Sequence, residues 1–128
     1  MKCLITGGNG FIGSAVVRKF LNNGCKVINL DSLTYAGNAP HPDHPNYRFH
    51  KGSICDQQII REILFREKPN AVIHLAAETH VDNSISNPEI FIETNVLGTF
   101  RLLEACREYL DSSVDSRKNF KVVHVSTG

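Results

Sequence analysis

Four glycines in seven residues, Gly7, Gly8, Gly10 and Gly13, separate a short apolar run from an amphipathic one, and they restrict this chain more than any other feature. Lys2–Thr6 (K-C-L-I-T) reads as a β-strand. From Phe11 onward, Ile12, Val16, Val17, Phe20 and Leu21 recur at helical spacing. Gly8-x-Gly10-x-x-Gly13 matches G-x-G-x-x-G, and Gly7-x-x-Gly10-x-x-Gly13 matches its wider variant. Such a turn needs glycine because the strand-to-helix reversal is tight, the backbone must approach a pyrophosphate, and the helix packs closely on the strand. The helix N-terminus then offers unpaired N–H groups and a positive dipole end to phosphate.

Glycine-rich turns are common, so their context carries the weight. Asp31 ends the next strand-like run, Lys26–Asp31 (K-V-I-N-L-D), 18 residues beyond Gly13. A carboxylate there accepts hydrogen bonds from the adenosine ribose hydroxyls and repels a 2′-phosphate. No Arg or Lys lies between Asn29 and Asn46 to offset that repulsion. The pattern therefore predicts a dinucleotide site that prefers NAD to NADP. An aspartate that merely starts a turn is the plainer reading of Asp31, and the glycines override it.

The rest of the chain alternates strands with amphipathic helices. Gly24 is placed to cap the first helix, and Ser32 to Asn46 is a loop kept out of helix by Pro40, Pro42 and Pro45. Tyr47 to Ile54 reads as a third strand. Asp56 caps a helix carrying Ile59, Ile60, Ile63 and Leu64, ended by Pro69. Ala71 to Ala77 is an apolar run suited to a fully buried strand. Asn87-Pro88 starts a long helix to about Leu110, with Phe91, Leu97, Leu102, Leu103 and Cys106 among its apolar positions. After a polar loop, Phe120 to Ser126 is a fifth strand. Right-handed crossovers then give an α/β, Rossmann-type doubly wound parallel sheet of about five strands in the order 3-2-1-4-5. No repeat or domain boundary interrupts residues 1–128, which read as one NAD-binding domain, the N-terminal portion of a larger one.

Composition adds exclusions. Fourteen basic against 13 acidic residues leave a charge of +1, so no electrostatic argument favours nucleic acid or an anionic membrane. No apolar run approaches the roughly 20 residues of a membrane span. One lysine followed at once by strand sequence is not how a signal peptide begins. Cys3, Cys25, Cys55 and Cys106 are too scattered for a C-x-x-C pair, and suit reduced, mostly buried thiols in the cytoplasm.

Several residues that carry chemistry elsewhere read plainly here. Tyr47-Arg48-Phe49-His50-Lys51 spells Y-x-x-x-K, yet it lies in an expected strand, where positions four apart are about 13 Å distant. Tyr35 and Tyr109 have no lysine four residues on. His74 and His124, inside buried-looking strands, read as hydrogen-bonded core residues rather than ligands. His41, Asp43 and His44 share a proline-rich loop but lack a fourth metal ligand, so no metal is expected. His80 is left as a residue near the substrate phosphates. No serine sits in a G-x-S-x-G elbow.

Four stretches, T-G-G-N-G-F-I-G-S, D-S-L-T-Y-A-G-N, H-L-A-A-E-T-H-V-D-N-S-I and F-I-E-T-N-V-L-G-T-F-R-L-L-E-A, together resemble the extended short-chain dehydrogenases/reductases. Within them, Asp31 to Asn38 and Ala76 to Ile85 resemble the dTDP-glucose 4,6-dehydratase family most particularly. The resemblance spans Lys2 to Thr127. It implies that Gly7, Gly10, Phe11, Ile12 and Gly13 surround the pyrophosphate of NAD, and that Asp31, Ser32, Leu33 and Thr34 surround the adenosine. It puts Ser53 and Ile54 at the adenine. Leu75, Ala76, Ala77, Glu78 and Thr79 line the nicotinamide side, with Thr94 also near the cofactor. Thr79 and Thr127 face the sugar of the nucleotide-sugar substrate. For Ala76 and Ala77, plain core packing is the competing reading.

The reaction implied is hydride transfer from sugar C4 to NAD, loss of water across C5 and C6, and hydride return to C6. It yields the 4-keto-6-deoxy sugar. The family differs from this chain at four places. It usually carries aspartate at the position of Ser53, whose hydroxyl accepts from the adenine amine only weakly. It has serine at Thr79 and arginine at Asn83. After a pair like Ser126-Thr127 it continues with an acid-base Asp-Glu pair and then a helical Y-x-x-x-K, whereas Gly128 follows here. This part of the chain is therefore expected to bind NAD weakly or not at all and to turn over nothing alone. It is expected to self-associate through an exposed strand edge, with only the first of the two long helices through which the family dimerises. A different sugar-nucleotide epimerase or decarboxylase of the superfamily, and a non-catalytic NAD-binding or interaction module, are the alternatives.

Overall fold

The structure, a computed structural model, describes residues 1–8, 11–31, 44–75, 96–112 and 120–124, and of Phe11 only the backbone. β1 (Lys2–Thr6) leads into α1 (Phe11–Asn22) and β2 (Lys26–Asp31); β3 (Tyr47–Lys51) is followed by α2 (Gln57–Glu67). β4 (Ala71–His74), α3 (Gly98–Asp111) and β5 (Lys121–His124) complete the described elements. The five strands form one sheet in the order β3-β2-β1-β4-β5, every pair parallel, as the right-handed crossovers require.

The alternation of side chains along β1 accounts for the layering. Cys3 and Ile5 face a cluster with Val17, Leu21, Val27 and Ala71, which is the α1 side. Leu4 faces the opposite cluster, where Ile28, Leu30 and Val72 meet Ile60, Ile63 and Leu64 of α2 and Leu102, Ala105 and Cys106 of α3. A strand apolar on both faces belongs in the interior of a doubly covered sheet, and β1 occupies it.

The punctuation residues act as expected. Gly24, with φ of 81°, turns the chain out of α1, and its N–H donates to Leu21 O at 3.1 Å. The Asp56 carboxylate accepts from the N–H groups of Gln58 and Ile59, at 3.1 and 3.3 Å. α2 ends before Pro69 with Lys68 in the left-handed conformation, φ of 50°. Beneath it Glu67 is buried against Arg48 at 2.8 Å and Lys2 at 3.7 Å. Burial pushes its carboxyl up, but the Arg48 hydrogen bond and the nearby cations outweigh that and hold it below the usual value.

Four expectations need correction. β3 stops at Lys51, not Ile54, because its partner strand ends at Asp31, opposite Lys51, and Ser53–Asp56 close a turn. Ile12 is 56% exposed, since it lies in the first turn of α1, beyond the sheet that the later turns cover. Leu97 and Leu103, among the apolar positions of the expected long helix, are about half exposed: Leu97 precedes α3, and Leu103 lies on its flank beside Phe120 and Val122 at the outer strand β5. His124 is exposed, because β5 is an outer strand among the described residues. Of the thiols, Cys3 and Cys106 are buried and Cys25 and Cys55 half-buried; all four are free. The expected loop 32–43, the beginning of the long helix at 88–95, the loop 113–119 and the ends of the fourth and fifth strands lie outside the described residues. No described helix is long and apolar enough to cross a membrane.

Candidate dinucleotide-binding site

The C-terminal ends of parallel strands converge on one edge of the sheet, and this is where open α/β sheets bind ligands. Here that edge collects Thr6-Gly7-Gly8 after β1, Asp31 at the end of β2, Ser53 and Ile54 after β3, and Leu75 after β4.

The glycine turn is built as the sequence requires. Gly7 has φ of 77°, a left-handed conformation natural to glycine, and its N–H donates to Leu30 O at 2.9 Å. A Cβ on Gly13 would fall on Gly7 O and within 2.9 Å of Gly8 Cα, so α1 begins pressed against the turn. A Cβ on Gly8 would come within 2.5 Å of Asn29 Cγ. Backbone therefore replaces side chain on the inner side of the turn. The first turn of α1, with its unsatisfied N–H groups, follows directly. Among the described residues, Gly7, Gly8 and Gly13 keep Cβ atoms out of this turn, which suits a pyrophosphate.

Asp31 is buried at the tip of β2, the position where a ribose is recognised. Gly52 N–H, bonded to Asp31 O at 3.1 Å, holds the following segment against it. Ser53 is exposed, and its Oγ accepts from Cys55 N at 3.0 Å. Ile54 is buried in the α2–α3 cluster, where its side chain fills the space a Cβ on Gly98 would need. Leu75 is half-buried, and its N–H is shared between Thr6 O at 3.0 Å and Thr6 Oγ1 at 3.1 Å. Gly10, Ser32, Leu33, Thr34, Ala76, Ala77, Glu78, Thr79, Thr94 and Thr127 lie outside the described residues, as do His80, Asn83 and the side chain of Phe11.

His74 is the hydrogen-bonded core residue its strand position predicts. Its Nδ1 is 2.7 Å from Thr6 Oγ1 and its Nε2 is 2.9 Å from Thr99 Oγ1, so one imidazole joins β1, β4 and α3. Burial, with His124 stacked at 4.8 Å, pushes it down to about 4, and it is neutral at pH 7. Tyr47 and Lys51 lie at opposite ends of β3, so this Y-x-x-x-K is not a catalytic pair. Sequence reasoning overlooked Asn29, whose buried amide supports the glycine turn. The available signal was a lone amide among apolar neighbours in K-V-I-N-L-D.

A glycine turn from β1 into α1, beside a carboxylate ending β2 in a 3-2-1-4-5 parallel sheet, defines a Rossmann-type domain of the dinucleotide-binding class. The chain belongs to the family described as GDP-mannose 4,6 dehydratase, whose model matches residues 4–128. It is 51% identical over 135 residues to dTDP-glucose 4,6-dehydratase 1 of Escherichia coli, covering 99% of this chain and 37% of that protein. Among solved structures it is similar to UDP-glucose 4-epimerase of Thermotoga maritima, determined with UDP-glucose. The TM-score there is 0.84 at 36% identity, over 100% of this chain and 38% of the other. It is also similar to dTDP-glucose 4,6-dehydratase of Streptomyces venezuelae with NAD bound, with a TM-score of 0.80 and 40% identity. That match covers 100% of this chain and 42% of the other. The chain thus spans little more than a third of the length of the curated relatives it matches.

Proposed function

We propose that these residues are the NAD-binding, N-terminal portion of an enzyme that converts dTDP-glucose to dTDP-4-keto-6-deoxyglucose. The observation that carries the reading is the close packing of Gly13 on Gly7 beside Asp31, a cradle that suits a pyrophosphate next to a ribose hydroxyl acceptor. The identity of about 50% with curated dTDP-glucose 4,6-dehydratases supports this sugar nucleotide over the one that names the family model. The likeness to epimerases is one of fold, since the same sheet and glycine turn serve both activities.

When bound, NAD supplies the hydride acceptor and then the hydride donor of the reaction. The residues of this chain hold and orient. Gly7, Gly10, Phe11, Ile12 and Gly13 meet the pyrophosphate, and Asp31 with Ser32, Leu33 and Thr34 takes the adenosine. Ser53 and Ile54 flank the adenine, and Leu75 to Thr79 with Thr94 line the nicotinamide. Thr79 and Thr127 bond the sugar. We assign these 128 residues the binding of cofactor and sugar. The exposed face of α3, with Phe100 at 59% and Leu103 at 50% exposure, suits pairing with a second copy. Free thiols and a near-neutral charge fit a cytoplasmic setting.

Calorimetric titration with NAD, and with NADP as control, tests this. Weak, saturable binding that prefers NAD is expected; binding that does not distinguish the two dinucleotides would overturn the assignment of Asp31, and none would overturn that of the glycine turn.

A further inference from the structure

Asn29 has no exposed surface, and it stands in the apolar strand β2 two residues before Asp31. Val27, two positions back on the same face, belongs to the apolar α1 cluster, so packing alone favours a hydrocarbon at 29. A buried amide is costly unless its donors and acceptor are bonded, and here they are. Asn29 Oδ1 accepts the Gly8 N–H at 2.8 Å, and Nδ2 donates to Tyr47 OH at 3.0 Å. Gly8 rests directly on the amide, with no room for a Cβ between them. The adjacent Gly7 N–H is tied to Leu30 O, so β2 grips two successive peptides of the turn.

We propose that Asn29 is a positioning residue for the phosphate turn, and that Tyr47 orients it. The tyrosine hydroxyl takes the Nδ2 end of the amide and so directs Oδ1 at Gly8. That sets the plane of the Gly8 peptide, and hence the direction from which the turn and the start of α1 meet a pyrophosphate. An aspartate would accept the same N–H but would place a charge beneath the phosphates; the amide orients without repelling. The inference rests on the dinucleotide reading above.

Two variants, Asn29→Leu and the milder Tyr47→Phe, test it beside Asp31→Ala. Amide hydrogen exchange by NMR on the ligand-free chain reads the clamp itself. Gly8 N–H should exchange about tenfold faster in both variants, while Leu4, Ile28 and Val72 keep their rates. Titration with NAD, ADP and adenosine reads its purpose. Asn29→Leu should lose about tenfold for NAD and ADP and nothing for adenosine, whereas Asp31→Ala loses affinity for all three. Unchanged Gly8 exchange overturns the proposal, and so does an equal loss for ADP and adenosine, which is the mark of a merely structural residue. Normal wild-type binding with an unchanged ADP-to-adenosine ratio in the variants removes the role of Asn29 alone. A wild-type chain that binds none of the three removes the dinucleotide reading and this role with it.

Discussion

His74 Nδ1 and Thr6 Oγ1 lie 2.7 Å apart in a buried seam between β4 and β1. The same threonine holds the Leu75 N–H, so the segment leaving β4 toward the expected nicotinamide side is anchored to β1 by one hydroxyl. The imidazole continues the tie to Thr99 in α3.

The depressed pKa of His74 makes stability depend on pH. Its folded value, about 4, lies below the unfolded value near 6.5. The unfolded chain therefore binds the extra proton first. The contribution is fully present above pH 6.5 and is lost as pH falls toward 4, by about 3 kcal/mol at most. Urea midpoints at pH 7 and pH 4.5 should separate more for the wild type than for His74→Gln. Equal separations would rule His74 out as the responsible group.

Gly13→Ala and Gly24→Ala should part company. At Gly13 the new methyl meets backbone of Gly7 and Gly8, which cannot yield without opening the turn; a loss of about 2–3 kcal/mol and of NAD binding is expected. At Gly24 the space is open and only the φ of 81° resists, at about 1 kcal/mol, with binding unchanged. Thermal melts and NAD titrations of both variants check this. Intact NAD binding in Gly13→Ala would mean that the turn is not the phosphate site.

Asp31→Ala removes both the ribose acceptor and the repulsion of a 2′-phosphate. NAD affinity should fall about 10- to 100-fold while NADP affinity falls less, narrowing the preference between them. Calorimetry with both dinucleotides measures the ratio, and a ratio that stays at the wild-type value would place the ribose elsewhere.

On α3, Phe100 and Leu103 present exposed apolar surface one turn apart, Leu103 beside Phe120 and Val122 at the β5 edge. The double variant Phe100→Glu, Leu103→Glu should be monomeric at concentrations where the wild-type chain self-associates. Sedimentation velocity at tens of micromolar reports it. A wild type that is already monomeric would count against pairing through this face.

Strands β1 and β2 were legible to the residue because each is bounded by a local signal: glycines after Thr6, and a loop rich in turn residues after Asp31. The Asp56 cap and the helix stop before Pro69 were legible for the same reason, since capping and the proline clash act over three or four residues. The end of β3 was not. It depends on where the partner strand ends, at Asp31 opposite Lys51, a residue 20 positions away that nothing near Lys51 announces. Leu103 was misplaced because helical spacing marks an apolar stripe without saying how wide a stripe its neighbours cover.

The sequence by itself determined the order of elements, the parallel sheet, and the glycine turn with its acidic companion, because these follow from short-range conformational limits and from periodicity. The tertiary structure alone decided which polar side chains act. Asn29 reaches Gly8 and Tyr47, and His74 reaches Thr6 and Thr99, only after the strands lie side by side. A hydrogen bond between residues 18 to 68 positions apart leaves no trace in local pattern, since it exists only when the fold has removed water from both partners and brought them within 3 Å.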